Sequence, residues 1–194
     1  NNPQACSLDL FAYLILPLKT SVDDLPQEWF LGEASPQDLW ALGQFYKHKS
    51  GGLLMKVLRP ENSDLGNNSL EDVYERLGFL RKWRTYSLTY NGKVKAIFIV
   101  NQSDLAINMS NLLNCIKVLV VDPVGLPFDV LSIAITQLGK VYNLNEVTLF
   151  IYPASFVETT GISFEKHYQL WILNVRYSNQ FMEYVQKKFR VKYE

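Results

Sequence analysis

The chain has 194 residues and a balanced charge, with 19 Lys and Arg against 19 Asp and Glu. A chain without net charge has no general attraction for nucleic acid or anionic lipid, so we expect neither nucleic acid nor a membrane among its partners. Hydrophobic residues make up 48% of the sequence and charged residues 20%, which excludes a disordered protein and predicts one compact globule.

The first residues and the two cysteines give information on the cellular compartment of the protein. The chain begins Asn1-Asn2-Pro3, so we interpret it as a processed chain or as part of a longer polypeptide. The early apolar run from Leu10 to Leu18 contains a proline and is far shorter than the roughly 20 residues that span a bilayer. Cys6 and Cys115 form neither a metal-binding nor a redox spacing. We therefore expect a cytoplasmic protein without a metal.

The N-terminal residues are predicted to form one strand followed by a connector. Residues 8–18 are mostly apolar and suit a largely buried strand, whereas residues 20–27 are polar and contain a proline. A second short strand is predicted from Trp29 to Ala34. We accordingly divide the chain into an N-terminal strand and connector, residues 1–27, and a main domain, residues 28–194.

Two helices are predicted next. Ser35 and Pro36 supply an N-cap and a first-turn proline for a helix that Gly51-Gly52 ends. After a turn-rich stretch from Arg59 to Asn68, a sequence resembling a capping box opens a second helix that we extend to near Trp83. The basic residues near its end would favour the negative pole of the helix dipole.

A hairpin and alternating elements complete the chain. Asn91-Gly92 between two β-rich runs is a strong hairpin signal. The run from Leu113 to Val121 is apolar almost throughout, which is typical of a central strand covered on both faces. The elements predicted after it are a helix at 128–142, a strand at 146–152, a short helix, a strand at 168–176 and a helix at 179–189.

The sequence around the end of the central strand resembles a known cofactor loop. The strand ends in Val121-Asp122-Pro123 and continues through residues 124–129 into a helix that begins near Val130. This arrangement is similar to the coenzyme A loop of the GCN5-related N-acetyltransferase superfamily, and the order of elements from about residue 28 to residue 176 also resembles that superfamily. The resemblance implies an α/β fold of mixed α+β type: a central mixed sheet flanked by helices.

The loop departs from the superfamily pattern at three positions. In the superfamily, a basic residue and two glycines lead into a helix whose N–H groups hold the coenzyme A diphosphate. Aligned on Val121-Asp122-Pro123, these positions are Leu126, Pro127 and Asp129 here. Pro127 lacks an N–H, and Asp129 places a carboxylate where the ligand is negative. Alternatively, Pro127 and Asp129 start a helix, with Asp129 as its N-cap.

The resemblance also implies site residues. In the superfamily the fourth and fifth strands separate, and the donor inserts between them against the fourth strand. Here the implied donor-binding residues are Leu119, Val121, Gly125 and Leu126. No tyrosine falls where many members place a catalytic one. Glu158 lies near that position, and Tyr152 ends a predicted central strand where α/β sheets bind ligands. Both are candidate catalytic residues, and both have ordinary structural alternatives.

Two functions follow as hypotheses. The first is a divergent N-acyltransferase domain that transfers an acyl group from acyl-CoA or another acyl thioester to an amine, carried by a small molecule or a protein. The second is a non-catalytic ligand-binding or regulatory module of a larger protein with the same fold. The sequence gives neither the oligomeric state nor the substrate.

Overall fold

The computed structural model describes residues 4–19, 23–50, 53–58, 70–104, 114–141 and 145–188. These residues form seven strands, six α-helices and one 3-10 segment. The strands are β1 (Cys6–Pro17), β2 (Trp29–Glu33), β3 (Arg81–Tyr90), β4 (Lys93–Ser103), β5 (Cys115–Val120), β6 (Glu146–Tyr152) and β7 (Lys166–Leu173). The helices are α1 (Pro36–Ser50), α2 (Leu53–Leu58), α3 (Leu70–Arg76), α4 (Phe128–Val141), α5 (Ala154–Thr160) and α6 (Ser178–Lys188), and the 3-10 segment is Val175–Tyr177.

All seven strands belong to one mixed sheet with the order β2-β3-β4-β5-β6-β1-β7. Only β5 and β6 are parallel, and α4 connects them in sequence. The remaining neighbours are antiparallel. The fold class is therefore α/β with mixed α+β character.

The sheet is covered on both faces. One face packs against buried residues of α1 and α2, including Leu42, Tyr46 and Leu54. The opposite face packs against α4 and α5, whose Leu131 and Val157 are fully buried. The central strands β4 and β5 are apolar on both sides because both of their faces meet a helix layer. Below, the two sides are called the α1/α2 face and the α4/α5 face.

Most predicted elements form with small shifts of their ends. β6 has the predicted bounds, and the hairpin of β3 and β4 turns at Asn91-Gly92. The helix predicted from Ser69 to near Trp83 is wrong in length, because α3 ends at Arg76. Gly78, with φ 76°, follows it, and the Phe79 N–H donates to the carbonyl of Tyr74 at 2.9 Å. A glycine in this left-handed conformation terminates the helix. The basic residues from Arg81 onward therefore lie in β3.

The N-terminal strand lies inside the sheet. β1 pairs with β6 through residues 12–17 and with β7 through residues 6–13. Ala12, Leu14 and Leu16 pack in the core beside α4 and α5, whereas Phe11 and Tyr13 pack in the core beside α1 and α2. β1 therefore contributes to both cores, and it brings Ser7 and Asp9 beside the end of β6, to the α1/α2 face. The turn-rich stretch at 59–68 lies outside the described residues.

Candidate functional site

The candidate site lies where the two parallel strands end. Such ends are the usual ligand position in open α/β sheets, because the connections diverge there. The β5–β6 pairing runs from Ile116 and Leu149 to Leu119 and Tyr152, the last residue of β6. The strands are thus paired to the end of β6. The separation that the resemblance implies along Leu119 to Val121 is therefore not seen at Leu119, which pairs with Tyr152.

The chain bends immediately after β5. The N–H groups of Val121 and Asp122 both donate to the carbonyl of Lys95, at 2.9 and 3.1 Å. Two residues therefore oppose one residue of β4, which is the pattern of a β-bulge. A bulge increases the local twist and redirects the strand, so the chain leaves the sheet beyond Val120. The chain after Tyr152 instead enters α5.

Tyr152 is the centre of a buried polar group on the α1/α2 face. Its hydroxyl donates to Oδ1 of Asp9 at 2.7 Å, and the Ser7 hydroxyl donates to Oδ2 at 2.9 Å. Asp9 is 2% exposed and Tyr152 is 8% exposed. Burying a carboxylate is costly unless it accepts hydrogen bonds, and here both of its oxygens do so. The arrangement fixes the Tyr152 ring at the end of β6.

A second tyrosine adjoins this group. Tyr46 of α1 is fully buried, and its ring centroid lies 5.1 Å from that of Tyr152. Burial raises the pKa of Tyr46, and the nearby Tyr152 and Asp9 raise it further. Burial also raises the pKa of Tyr152, and its hydrogen bond to Asp9 adds to this. Both phenols therefore stay protonated at neutral pH.

An ion pair lies at the bulge. The Lys95 ammonium is 2.5 Å from Oδ2 of Asp122 and donates to the Val124 carbonyl at 2.9 Å. The Lys95 side chain is 10% exposed, whereas the Asp122 side chain is 42% exposed. The hydrogen bond from Lys95 lowers the pKa of Asp122. Asp122 is consequently a weak base, and its main effect is to neutralise a buried lysine beneath the loop.

The loop before α4 is a tight turn, and in the first turn of the helix a side-chain carboxylate of the helix itself binds a backbone N–H. The Leu126 N–H donates to the Pro123 carbonyl at 3.3 Å, and Gly125 has φ 69°, which glycine adopts at little cost. The helix begins at Phe128, and the Leu131 N–H donates to the Pro127 carbonyl. Asp129 lies within the first turn, where its Oδ1 accepts from the Val130 N–H at 2.9 Å. The expectation of Asp129 as the N-cap is therefore wrong by about two positions.

The four implied donor-binding residues do not share one surface. Leu119 is fully buried in the core of the α1/α2 face, and Val121 lies at its margin. Leu126 is 5% exposed and packs in the opposite core, beside α4. Gly125 is exposed at the tip of the turn. Only Val121 and Gly125 thus combine an accessible position with proximity to the end of β5.

The two candidate catalytic residues lie on opposite faces of the sheet. Glu158 is on α5, and its carboxylate lies 3.0 Å from Nε2 of His167 on β7. Both side chains are about half exposed, at 50% and 40%. Tyr152 belongs to the α1/α2 face, so Glu158 and Tyr152 cannot act on the same atoms. The structure instead pairs Glu158 with a histidine that the sequence places only nine positions away.

Sequence reasoning missed Asp9, Ser7, Tyr46 and Lys95 as members of this region. Asp9 carried a usable signal, since it alternates with Ser7, Phe11 and Tyr13, all on the buried side of an otherwise apolar strand. An acid on the inward side of a strand requires a partner. That the partner is Tyr152, 143 positions away, follows only from the pairing of β1 with β6.

Comparison with known proteins, a search for metal ligands and the lengths of the helices do not identify the site. Comparison of the sequence with protein-family profiles and with curated proteins finds no match. Across the described residues, no group of three or more His, Cys, Asp or Glu side chains is placed to hold a metal ion. Within the same residues, every helix is too short or too polar to cross a lipid bilayer.

Proposed function

We propose that this chain is a divergent N-acyltransferase-like domain that transfers an acyl group from a thioester to an amine. Its support is the arrangement at one end of the sheet: a hairpin, then a central strand that bends at a bulge, then α4 and a parallel strand. The observation that carries the proposal is the Tyr152 hydroxyl, fixed by Asp9 beside the end of β5. The resemblance of element order to the GCN5-related superfamily points to the same reaction.

The reaction asks little of the protein beyond positioning. The amine nitrogen bonds to the acyl carbon, the carbon–sulfur bond breaks, the amine loses one proton and the departing thiolate gains one. Holding the two reactants in line lowers the barrier because it removes translational and rotational freedom in advance. In this proposal the half-buried Val121 and the exposed turn at Gly125 orient the donor.

Tyr152 is better suited to positioning than to acid catalysis. A thiol has an ordinary pKa of about 8.5 and a tyrosine one of about 10, and the pKa of Tyr152 is raised further. Proton transfer from Tyr152 to a thiolate is therefore uphill. The departing thiolate would take its proton from the attacking amine, directly or through water, and Tyr152 would hold the shape of the site.

The helix start does not fit the diphosphate of coenzyme A. The Val130 N–H is already bonded to the carboxylate of Asp129, and Pro127 has no N–H to offer. A second negative group would meet like charge at this position. We therefore propose a donor whose thioester is presented on another carrier, such as a carrier protein, rather than one that depends on a diphosphate grip.

A second candidate function is a non-catalytic ligand-binding module with the same fold. The observation that favours it is that the Tyr152 hydroxyl is already committed to Asp9, while Glu158 lies on the other face. In this case the buried polar group serves stability and the loop at Gly125 serves binding alone.

A paired binding and turnover experiment tests the proposal. The full chain is titrated calorimetrically with acetyl-CoA, with longer acyl-CoAs and with an acyl carrier-protein thioester, and each donor is then incubated with a mixture of primary amines. We expect weak or no heat with free acyl-CoA, heat with the carrier-bound thioester, and thiol release that requires both protein and amine.

The two candidate functions predict different results. Thiol release above the protein-free rate supports the transferase, and Tyr152→Phe should reduce the rate without abolishing it, since the residue positions rather than protonates. Donor binding with no thiol release supports the binding module and contradicts the transferase. Absence of both heat and turnover at millimolar donor contradicts the transferase and also a module that binds acyl thioesters.

A further inference from the structure

An open cleft lies apart from the region around Tyr152 and Val121. It occupies about 360 Å³ between α2 and the carboxyl end of β7, and it is lined by Leu53, Lys56, Val57, Ile172, Asn174 and Arg176. This volume is at the lower end of the range for small-molecule sites. The cleft is a candidate binding site that the transferase chemistry does not use.

Leu53, Val57 and Ile172 form an apolar part of the cleft lining. Leu53 is 3% exposed and forms its floor, while Val57 on the same short helix is 52% exposed. Ile172 contributes the facing wall from β7. Val57 thus leaves apolar surface in contact with water inside a concavity, where a bound apolar group would displace that water favourably.

The mouth of the cleft is positively charged. Lys56 and Arg176 both lie on it and are exposed, and none of the described residues that line it is acidic. Neither cation takes part in the ion pairs formed among the described residues. Two cations beside an apolar wall favour a ligand that carries a negative group on an apolar body, and they disfavour an amine.

The wall that carries Arg176 is held in place by hydrogen bonds. The Asn174 N–H donates to the Ala5 carbonyl at 2.9 Å, and its side-chain amide donates to the Gln4 carbonyl at 3.1 Å. The Arg176 N–H donates in turn to the side-chain oxygen of Asn174 at 3.1 Å. The backbone of Arg176 is therefore tied to the start of β1, which reduces the ordering needed on binding.

We propose that this cleft binds a small amphipathic anion, with the carboxylate or phosphate head on Lys56 and Arg176 and the apolar body against Leu53, Val57 and Ile172. This binding goes beyond the proposed function and does not depend on it. An arginine guanidinium matches either head group, since both present oxygens that accept two parallel N–H donors.

Titration of the full chain, followed by chemical-shift changes in NMR spectra, tests the proposal. The probes are hexanoate and hexyl phosphate, and hexan-1-ol and hexylamine serve as controls with the same apolar body. We expect saturable shifts at Val57 and Ile172 with at least one of the two anions, with a dissociation constant on the order of 1 mM for ligands of this size. Stronger binding of one anion identifies the preferred head group.

Variants distinguish binding of the anion by Lys56 and Arg176 from nonspecific attraction of anions to the protein surface. Lys56→Gln with Arg176→Gln should weaken anion binding at least about tenfold, and rising salt should weaken binding to the wild type. The matched control, Lys93→Gln with Lys187→Gln, removes two exposed lysines outside the cleft and should bind as the wild type does. Val57→Glu supplies an internal carboxylate and should also abolish binding.

Three outcomes would overturn the proposal. The first is equal binding of hexan-1-ol or hexylamine, because the two cations would then play no part. The second is an equal loss in the control variant, which would indicate nonspecific attraction. The third is no saturable shift at 20-fold above the expected dissociation constant, roughly 20 mM, with either anion.

Discussion

The hydroxyl of Tyr152 and the carboxylate of Asp9 form a buried 2.7 Å hydrogen bond between residues 143 positions apart. The bond connects the end of β6 to the part of β1 that extends beyond β6, where Asp9 pairs with Leu170 of β7. It therefore links three neighbouring strands at the edge of the candidate site. Its contribution can be measured, because each partner can be replaced by a residue of similar or smaller size.

Tyr152→Phe should lower the free energy of unfolding by about 1–3 kcal/mol, since Asp9 would lose one of its two side-chain donors while remaining buried. In the background of Asp9→Ala the same substitution should cost less, giving a coupling energy of about 0.5–3 kcal/mol in a double-mutant cycle. Urea denaturation measures all four variants. Tyr184→Phe, at a position 58% exposed, is the control. Equal effects of Tyr152→Phe and Tyr184→Phe would contradict this role.

Asp122→Asn should destabilise the fold at neutral pH because it removes the negative charge that compensates the buried Lys95 ammonium. Since Asp122 is 42% exposed, the loss should fall below that of a fully buried pair, at about 1–3 kcal/mol. Asp24→Asn, in the exposed connector, is the matched control and should have no measurable effect.

The pH dependence of this difference has a definite sign. The pKa of Asp122 is lowered from its ordinary 3.8, so its stabilisation is present above that value and is lost as the pH falls through the lower folded-state pKa. Urea titrations between pH 7 and pH 2 should show wild type and Asp122→Asn converging below pH 3.8. A constant difference across this range would contradict the assignment.

Gly125→Ala should destabilise the protein by about 1 kcal/mol, because φ is 69° at the third position of the Pro123–Leu126 turn. Gly43→Ala is the matched control within α1, where an added Cβ meets no atom within 4 Å. This second substitution should stabilise the protein by about 0.5–1 kcal/mol. Thermal denaturation should therefore show melting temperatures that move in opposite directions.

Leu119→Ala should lower the free energy of unfolding by about 2–5 kcal/mol, since the side chain is fully buried in the α1/α2 core. Leu77→Ala, at a position 64% exposed just beyond α3, should change it by less than about 0.5 kcal/mol. Denaturant unfolding of both variants provides the comparison. A small effect at Leu119 would contradict its place in this core.

Replacing Pro127 and Asp129 together by glycine should strengthen coenzyme A binding by about tenfold, because it restores an N–H and removes a carboxylate from the first turn of α4. Calorimetric titration with coenzyme A measures the change. Pro26→Gly with Asp24→Gly substitutes the same residue types in the connector and should leave binding unchanged. No gain in a variant with wild-type circular dichroism would mean that this loop is not a remnant of a diphosphate site.

The sequence by itself determined the local elements of this protein. Asn91-Gly92 between two β-rich runs specified the hairpin, and the apolar run ending at Val121 specified a strand covered on both faces. Such signals are short-range, since turn residues and hydrophobic periodicity act over fewer than about ten positions. The end of α3 was misplaced because the spacing of Leu77 and Leu80 continues the helical pattern beyond Gly78.

Only the tertiary structure decided which residues meet. It placed β1 between β6 and β7, and thereby joined Asp9 to Tyr152 and set Glu158 on the opposite face with His167. No local pattern encodes such a strand order, because it depends on which arrangement buries both faces of every strand at once. Register then fixes the face of each side chain, since a shift of one residue along β1 would turn Asp9 away from Tyr152.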